Sequence, residues 1–369
     1  MKTMIRSAQA FLVIVLLRGA VSLGADFSQR ADEYLKMALN TEQFMGSVLV
    51  ARSNQIVFMQ GYGMANREYD IPNAPNTKFR LGSITKQFTA MCILKLQEDG
   101  KLSVDDPVSK FVPNCPSNWS GIKIRHLLTH TSGIPNFTSF PDYLPTMMLS
   151  SPAEKTIERF RDKPLEFKPG ERFAYCNSGY ILLGYIVEKV SGKSYEQCVQ
   201  EVIFKPLGMK DSGYDHFERI LPHRATGYTR HDDAWSNSAY IDMTVPNGAG
   251  GLYSTVEDFF LWYQCWRERK ILSASSWEAM TTPGKANYGF GISISEAFGN
   301  KMLEHTGGIN GFATDMKWFP DADLFIAAFA NSDSAHPAVV ANFLAAIMFE
   351  QPVTLPKESK AIKLKEATR

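Results

Sequence analysis

The stretch between residues 83 and 98 predicts a helix that is apolar on almost every side. Apolar residues at helical spacing form one stripe, and others cover most of the opposite face: Ile84, Phe88, Ala90, Met91, Cys92, Ile93, Leu94 and Leu96. A helix of this kind is stable only when other elements pack around all of it. The chain, with 369 residues of which 44% are hydrophobic, is long enough to supply such a core. We therefore expect a fold built around this buried helix.

Two polar residues stand at the start of this helix, directly after the short extended piece Phe79–Leu81. Ser83 and Lys86 are three residues apart, so on a helix they share a face, and the hydroxyl and the amine can approach each other. Ser83 also lies near unpaired backbone N–H groups and the positive end of the helix dipole. These conditions favour an alcohol that attacks a carbonyl group. The alternative is that Ser83 only caps the helix, as serine often does.

The same spacing occurs a second time, in Ser120-Gly121-Ile122-Lys123. There the run from Ile122 to Ile124 alternates between apolar and polar residues, which predicts a strand. Side chains three residues apart on a strand point to opposite faces of the sheet. We therefore expect no catalytic role for Ser120 and Lys123.

A second polar motif is Tyr175-Cys176-Asn177, the only Tyr-x-Asn in the chain. We interpret it as part of an extended loop, in which residues two apart point the same way, so that both side chains can face Ser83. The Asn177 carboxamide offers both donors and an acceptor. Tyr175 acts as a base only if its pKa falls from roughly 10, and a neighbouring Lys86 ammonium is expected to lower it. The alternative is that both residues only pack the loop.

A third motif, His305-Thr306-Gly307-Gly308, comes just before the predicted strand Ala313–Phe319. Its two glycines allow a substrate backbone to pass close to a strand edge. A backbone N–H in this segment can face the N–H of Ser83, and two such donors form an oxyanion hole. For His305 we weigh contact with substrate against the role of a buried structural histidine.

The remaining pattern places strands at both ends of the chain and helices in the middle. The predicted strands are Ser47–Arg52 and Gln55–Gly61, which form a hairpin, then Tyr288–Ser295, Ala313–Phe319 and Leu324–Asn331. The predicted helices besides the buried one are Ala31–Leu39, Arg125–His130, Gly179–Val190, Tyr195–Phe204 and Ala338–Phe349. This order predicts a split α/β domain with an all-α insertion. We assign 26–102 and 246–350 to the α/β domain, 103–245 to a mainly α-helical domain and 351–369 to a C-terminal tail.

The N-terminus has the layout of a secretory signal. Lys2 and Arg6 precede a short apolar run, 11–17, and small residues follow up to Ala25. Residues 1–25 are therefore predicted to be a signal peptide, and the protein to be exported to the periplasm or the medium. The apolar run is too short for a comfortable membrane span, so we favour export over an anchor and expect no stable membrane span after cleavage.

Charge and cysteine content exclude several other classes. A net charge of +1 gives no support for nucleic-acid binding, which needs a concentrated basic face. The five cysteines show no metal-ligand spacing, and we expect mostly buried free thiols. His126 and His130 lie one helical turn apart but without the glutamate of an H-E-x-x-H motif, so we interpret them as structural. No metal and no cofactor is expected, and the oligomeric state is left open.

In this order and at this wide spacing, the three motifs resemble those of the penicillin-recognising serine hydrolases. The closest similarity is to the class C β-lactamase-like branch, which includes D,D-peptidases, D-aminopeptidases and esterases. The segments Ile124–Gly133 and Gly248–Thr255 also resemble family segments, so the likeness covers nearly the whole mature chain. It implies the β-lactamase/transpeptidase-like fold, with a central antiparallel sheet flanked by helices and a helical insertion.

The resemblance also implies roles for the motif residues. Ser83 is the acylated nucleophile, and Lys86 and Tyr175 shuttle its proton. The backbone N–H groups of Ser83 and Gly308 stabilise the oxyanion. Tyrosine at position 175, where class A enzymes have serine, favours the class C-like branch.

The other motif residues are implied to bind substrate. Asn177 orients the substrate amide, and His305 and Thr306 contact the substrate from the third motif. Position 305 holds histidine where most β-lactamases have lysine. A lysine attracts the β-lactam carboxylate at any working pH, whereas a histidine must first be protonated. Efficient β-lactam hydrolysis is therefore not expected.

The sequence thus predicts a serine hydrolase that acts on a peptide or small-molecule substrate through a Ser83 acyl-enzyme. The expected substrates are D-amino-acid peptides, cleaved as by a D,D-carboxypeptidase, or small acyl esters, with weak acylation by β-lactams. The alternatives are a carboxylesterase or β-lactamase of the same fold and, from another class, a non-catalytic penicillin-binding sensor.

Overall fold

A computed structural model describes residues 26–231 and 234–353. The predicted signal peptide and most of the predicted C-terminal tail lie outside these residues. The strands are β1 Gly46–Arg52, β2 Gln55–Tyr62, β3 Met64–Asn66, β4 Ile71–Pro72, β5 Phe79–Arg80, β6 Gly213–Tyr214, β7 Tyr228–His231, β8 Ala234–Asn237, β9 Leu252–Ser254, β10 Ser293–Ala297, β11 Asn300–Ile309, β12 Phe312–Phe319 and β13 Leu324–Ala330. The helices are α1 26–40, α2 Thr85–Glu98, α3 Ile124–Leu128, α4 Tyr143–Thr146, α5 Ala153–Arg161, α6 Asn177–Ser191, α7 Tyr195–Val199, α8 Lys205–Leu207, α9 Asn247–Gly250, α10 Val256–Glu268, α11 Ala274–Thr281 and α12 Pro337–Met348.

Six strands from the two ends of the chain form the main sheet. Their order is β10-β11-β12-β13-β1-β2, and every neighbouring pair is antiparallel. The first strand lies inside the sheet, between β13 and β2, because β1 pairs with β13, with Gly46 opposite Ala330 and Arg52 opposite Leu324. The predicted central antiparallel sheet flanked by helices is therefore confirmed. The predicted domain boundaries stay a prediction.

Alternation along the strands gives the sheet two apolar faces. In β1, Leu49 and Ala51 belong to the core that contains α2 and α10, whereas Val48 and Val50 belong to the core that contains α1 and α12. Successive residues of a strand point to opposite faces, so a central strand covered on both sides is apolar throughout. Helix α2 lies in the larger of these cores.

The predicted buried helix is confirmed as α2. Eleven of its fourteen residues are buried, including Lys86 and Gln87. Phe88 stacks on Trp262 of α10 with ring centroids 4.2 Å apart, and it also packs against Phe204. A helix that is covered all round holds its first turn rigidly, and Lys86 is in that turn.

The strand predicted at Tyr288–Ser295 is misplaced, since β10 begins only at Ser293. Two glycines explain the difference. Gly291 has a φ of +74°, a conformation that breaks a strand, and a Cβ on Gly289 would lie 2.3 Å from the Met280 carbonyl oxygen. The pattern also missed that the third motif is part of a strand: residues 305–308 all lie in β11.

The strand predicted around Ser120 and Lys123 is also wrong. Ser120 follows a 3₁₀ turn, Ser117–Trp119, and Lys123 immediately precedes α3. The Lys123 ammonium lies 3.3 Å from the Asp105 carboxylate on the surface. The second Ser-x-x-Lys is therefore a surface feature, although not for the reason that its sequence pattern indicated.

All five cysteines lie in the described part of the chain as free thiols, and all but Cys115 are buried. Burial raises the pKa of the Cys92 and Cys265 thiols, which keeps them protonated. Over residues 26–231 and 234–353, none of the helices has the length and hydropathy needed to cross a bilayer.

Candidate active site

Close backbone contacts bring Ser83 next to Gly308. The α-helix α2 begins at Thr85, not at Ser83 as predicted, and a 3₁₀ turn, Gly82–Ile84, precedes it. Gly82 has a φ of +52°, and a Cβ there would lie 2.8 Å from the Gly308 nitrogen. A Cβ on Gly307 would lie 2.0 Å from the Leu81 carbonyl oxygen. Only glycine at these positions lets β11 lie directly against the turn that carries Ser83.

The edge of β11 is open at this point. Strand β10 pairs with β11 only as far as Glu304. Within the described residues, the end of β11 from His305 to Ile309 therefore has β12 as its only strand neighbour. A Cβ on Gly308 would have no atom of the described chain within 4 Å, so this residue borders open space. The predicted strand edge next to the serine is present.

Lys86 is completely buried and makes three short contacts. Its amine nitrogen lies 3.0 Å from Ser83 Oγ, 2.9 Å from Asn177 Oδ1 and 2.8 Å from the Ala249 carbonyl oxygen. Burial lowers the pKa of Lys86 to about 7 because a charged amine loses its hydration there, and Cys176 opposes this only weakly. Near neutral pH, Lys86 is therefore partly a neutral amine.

As an ammonium, Lys86 donates one N–H to each of these three oxygens. As a neutral amine, it can instead accept a proton from Ser83. A neutral amine has two N–H donors and one lone pair. The two carbonyl oxygens, of Asn177 and Ala249, can only accept, so they take the two N–H groups. The lone pair is then left for the Ser83 hydroxyl, which donates to it. This is the arrangement of a nucleophile and its base.

Tyr175 lies on the other side of the serine. Although 39% of its surface is exposed, desolvation raises the pKa of Tyr175 well above its usual range. A hydrogen bond with Ser83 acts in the opposite direction but is weaker. The prediction that Lys86 lowers this pKa is wrong, because burial dominates and Lys86 itself loses its charge near pH 7. Tyr175 is thus a protonated phenol, suited to donate a proton.

Asn177 is the first residue of α6, not part of an extended loop as predicted. Its backbone N–H donates to Asn136 Oδ1 at 3.0 Å, and its Nδ2 donates to Thr138 Oγ1 at 3.2 Å. Helix α6 begins two residues before the predicted Gly179 because these contacts hold its first turn. The side chain is fixed with its oxygen towards Lys86 and its nitrogen towards Thr138.

His130, interpreted from the sequence as structural, lies directly behind Tyr175. Its ring centroid is 4.3 Å from that of Tyr175 and 4.8 Å from that of Tyr288. Nδ1 accepts the Cys176 backbone N–H at 3.1 Å, and the buried Nε2 has no hydrogen-bond partner among the residues that the structure describes. Burial, with a smaller contribution from Lys86, keeps the pKa of His130 well below its usual range, so the ring is neutral. His130 therefore positions the Tyr175 segment. The signal for this role in the sequence was its place in Ile124–Gly133, which resembles a family segment.

His305 has both ring nitrogens engaged inside the protein. Nδ1 lies 2.6 Å from the Thr306 carbonyl oxygen and must donate to it, so Nε2 accepts the Tyr288 hydroxyl at 2.9 Å. Burial, followed by the effect of Lys86, lowers the pKa of His305 to about 3. Neither ring nitrogen is therefore free to hydrogen-bond to a substrate, and the predicted substrate contact of His305 stays a prediction. Thr306, next to it, is exposed.

Two cavities meet at the serine, and Ser83 and Gly308 are the only residues that line both. The first, called the Tyr175 cavity, has a volume of about 400 Å³. Its other lining residues are Phe173, Tyr175, Tyr288, Ser293, Glu304, His305 and Thr306. The second, called the Asn177 cavity, has a volume of about 240 Å³. Its other lining residues are Gly82, Phe137, Thr138, Tyr143, Asn177, Ile241, Pro246, Ala249, Gly250, Ile309 and Asn310.

This fold, with a serine and a buried lysine at the junction of an antiparallel sheet and a helical region, defines a serine hydrolase. The chain belongs to the Beta-lactamase family, whose model matches residues 37–347.

Its relatives include two proteins of Bacillus subtilis (strain 168). "Putative penicillin-binding protein PbpX" is 34% identical over 276 residues, which are 73% of this chain and 66% of that protein. Penicillin-binding protein 4* is 29% identical over 355 residues, 88% of this chain and 76% of that protein. The octameric penicillin-binding protein homologue from Pyrococcus abyssi has a similar structure, with a TM-score of 0.78, 32% identity and coverage of 88% of this chain and 77% of that chain. The predicted β-lactamase/transpeptidase-like fold is thereby confirmed.

Proposed function

We propose that the protein hydrolyses acyl compounds through an acyl-enzyme on Ser83, with Lys86 as the base. The observation that carries this proposal is the set of three Lys86 contacts, which in the neutral amine leaves the lone pair for the Ser83 hydroxyl 3.0 Å away. A pKa of about 7 makes the amine a base that works near neutral pH.

Acylation follows from this geometry. Ser83 Oγ attacks the substrate carbonyl carbon while its proton passes to the Lys86 amine. The negative charge that develops on the carbonyl oxygen is stabilised by the backbone N–H groups of Ser83 and Gly308. The bond to the leaving group then breaks, and its heteroatom takes the proton of the Tyr175 hydroxyl. Lys86 returns its proton to Tyr175, so the base is ready for the second step.

Deacylation reverses these transfers with water in place of the leaving group. The water loses a proton to the Tyr175–Lys86 pair as its oxygen bonds to the acyl carbon, and Ser83 Oγ recovers its proton as the ester breaks. Asn177, fixed between Lys86 and Thr138, presents its carboxamide to the acyl part of the substrate.

We propose D-amino-acid peptides or small acyl esters as substrates, with weak acylation by β-lactams. The penicillin-binding relatives support this class. None of the residues that line the Asn177 cavity is charged, and several are apolar, such as Phe137 and Ile241. A neutral acyl group of moderate size is expected there. Export remains a proposal that rests on residues 1–25.

The test uses a fluorophosphonate probe, a fluorescent penicillin and p-nitrophenyl acyl esters on wild type and Ser83→Ala. We expect a covalent adduct on Ser83 by mass spectrometry, and ester turnover that falls by about 10⁵-fold or more in the variant. Folded protein without a Ser83 adduct would refute the proposal. A stable adduct without turnover of any ester or peptide would instead favour a penicillin-binding sensor.

A carboxylesterase is the second candidate, favoured by the uncharged Asn177 cavity. Parallel turnover of p-nitrophenyl esters and of D-Ala-D-Ala peptides, with free and with amidated C-termini, separates the two. A peptidase cleaves both kinds of substrate, whereas an esterase cleaves only the esters.

A further inference from the structure

We infer that the enzyme releases leaving groups that carry no carboxylate, so that it acts as an amidase, esterase or peptidase on blocked C-termini rather than as a carboxypeptidase. This inference rests on the proposed Ser83 acyl-enzyme and narrows its substrate class. It comes from the division of the site into two cavities and from the charges that line one of them.

The position of the leaving group follows from the proton donor. A carbonyl carbon bonded to Ser83, with its oxygen between the N–H groups of Ser83 and Gly308, lies where the two cavities meet. Its acyl part must occupy one cavity and its leaving group the other. The leaving group needs a proton as it departs. Tyr175 lines only the Tyr175 cavity, so the leaving group occupies that cavity.

The lining of the Tyr175 cavity contains no cation. Its aromatic residues are neutral, and Glu304 is its only residue with a formal charge. His305 is uncharged because its Nδ1 donates to a carbonyl oxygen and its Nε2 accepts from Tyr288. A carboxylate that enters this cavity therefore meets a carboxylate and no free partner of opposite charge.

The nearby lysines do not change this result. The Lys317 ammonium is only 3% exposed and is held by Glu304 at 2.5 Å and Asp315 at 3.5 Å, so two acids share one cation. Lys86 has all three of its polar contacts inside the protein and is largely neutral above pH 7. Burying an anion without a cation or sufficient donors is costly.

The chemical consequence concerns the C-terminal residue of a peptide substrate. A carboxypeptidase releases an amino acid whose free carboxylate would lie in the Tyr175 cavity. A C-terminus blocked as an ester or as an amide, such as a peptide carboxamide, places no negative charge there. Specificity of this kind comes from rejecting the wrong charge as well as from binding the right group.

The experiment compares leaving groups that differ only in charge. Acetate esters of 3-carboxyphenol and 3-carbamoylphenol, and the peptides Ac-D-Ala-D-Ala and Ac-D-Ala-D-Ala-NH₂, are assayed at pH 8 after confirming the Ser83 adduct with a fluorophosphonate. In each pair that the enzyme hydrolyses, we expect kcat/KM for the neutral substrate to exceed that for the carboxylate substrate by about tenfold or more. The spontaneous hydrolysis rates are subtracted first.

Two matched variants test the role of the cavity charge. Glu304→Gln should reduce the preference for the neutral ester several-fold. Glu296→Gln removes the same charge from an exposed position on β10, outside the cavity. It should leave the ratio of kcat/KM between the neutral and the carboxylate ester unchanged.

Equal or faster hydrolysis of the carboxylate esters or peptides, with Ser83 still labelled, would overturn the inference but not the proposed function. Absence of the Ser83 adduct and of all turnover would overturn the proposed function itself. If Glu304→Gln changed the ratio of kcat/KM between the neutral and the carboxylate ester no more than Glu296→Gln did, the role assigned to Glu304 would be refuted.

Discussion

Two buried bases flank the candidate serine, and they differ in what remains available on their nitrogens. Lys86, on α2, has two carbonyl acceptors for its two N–H groups and a lone pair facing Ser83. His305, on β11, has one nitrogen bound to a carbonyl and the other to the Tyr288 hydroxyl. Burial favours the neutral form of both groups, but only neutral Lys86 has a lone pair left to accept a proton from Ser83.

The comparison shows that residue type and burial do not decide whether a base is reactive. The hydrogen-bond partners of the base decide it, because each partner in the protein uses one N–H group or one lone pair of the base. In the proposed mechanism, the helical side of the site carries the proton transfer. The strand side then supplies shape, a backbone N–H and an open edge.

The largest effect is expected from removing the amine on the helical side. Lys86→Met replaces it with an apolar side chain of similar length in a fully buried position. The fold should be retained, while kcat/KM for an acyl ester falls by about 10³- to 10⁴-fold because Ser83 loses its base. Steady-state kinetics together with a thermal melt measure both quantities.

A matched control lies on the same helix. Lys95 is partly exposed and contacts Glu98 and Asp99 on the surface. Lys95→Met should leave kcat/KM unchanged, since surface pairs contribute roughly 0–1 kcal/mol to stability and Lys95 touches nothing in the site. If Lys86→Met retained near wild-type activity, the division of roles between the two sides would be wrong.

The strand side is probed through its two glycines. In Gly307→Ala, the new methyl group would lie 2.0 Å from the Leu81 oxygen and 2.2 Å from Thr314 Oγ1, so β11 must move away from the serine turn. We expect a loss of about 1–3 kcal/mol in the free energy of unfolding and a fall of about 10²-fold in kcat as the oxyanion donors separate.

Gly308→Ala serves as the comparison for this substitution, because its methyl group would meet no atom within 4 Å. Its midpoint of chemical unfolding should match the wild type. Equal destabilisation by both substitutions would contradict the close contact between Gly307 and Leu81.

The smallest effect is expected from His305. Because the pKa of Lys86 is lowered, the amine is charged and inactive below about pH 7 and neutral above it. The kcat/KM profile should therefore rise through about pH 7 and reach a plateau. His305→Gln should lower kcat/KM by about tenfold or less, since this ring touches no reacting atom.

The position of the rise identifies the titrating group. His305 has a pKa near 3 and does not titrate in this range. The midpoint near pH 7 should thus persist in His305→Gln. A profile that becomes flat in this variant would assign the rise to the histidine and reverse the comparison.

Much of this arrangement could be predicted from the sequence. The buried helix, the strand pairs at both ends of the chain and the proximity of Ser83 and Lys86 follow from hydrophobic period and from residue spacing. Local patterns carry this information because a helix or a strand imposes its own repeat on the sequence.

The predictions from the sequence were incomplete or wrong where contacts between distant segments determine the state of a side chain. The pKa of Tyr175 depends on how deeply its hydroxyl is covered, and the state of His305 depends on Tyr288, a residue of a different segment. For His130, the family resemblance of Ile124–Gly133 was the one available signal, and no local pattern indicated its position behind Tyr175. Burial and the choice of hydrogen-bond partners are properties of the tertiary structure, and a short hydrophobic pattern in the sequence does not predict them.

The pairing of β1 with β13 has a consequence for how the chain acquires activity. The first strand of the main sheet has its neighbour near the end of the sequence, so the sheet closes only after almost all of the chain is available. Contacts so distant in sequence form slowly, whereas the helices between them rely on nearby residues. Because β13 supports β12 and β12 supports the strand that carries Gly308, the Gly308 side of the candidate site is completed late. A growing chain therefore carries Ser83 and Lys86 long before it can hydrolyse anything.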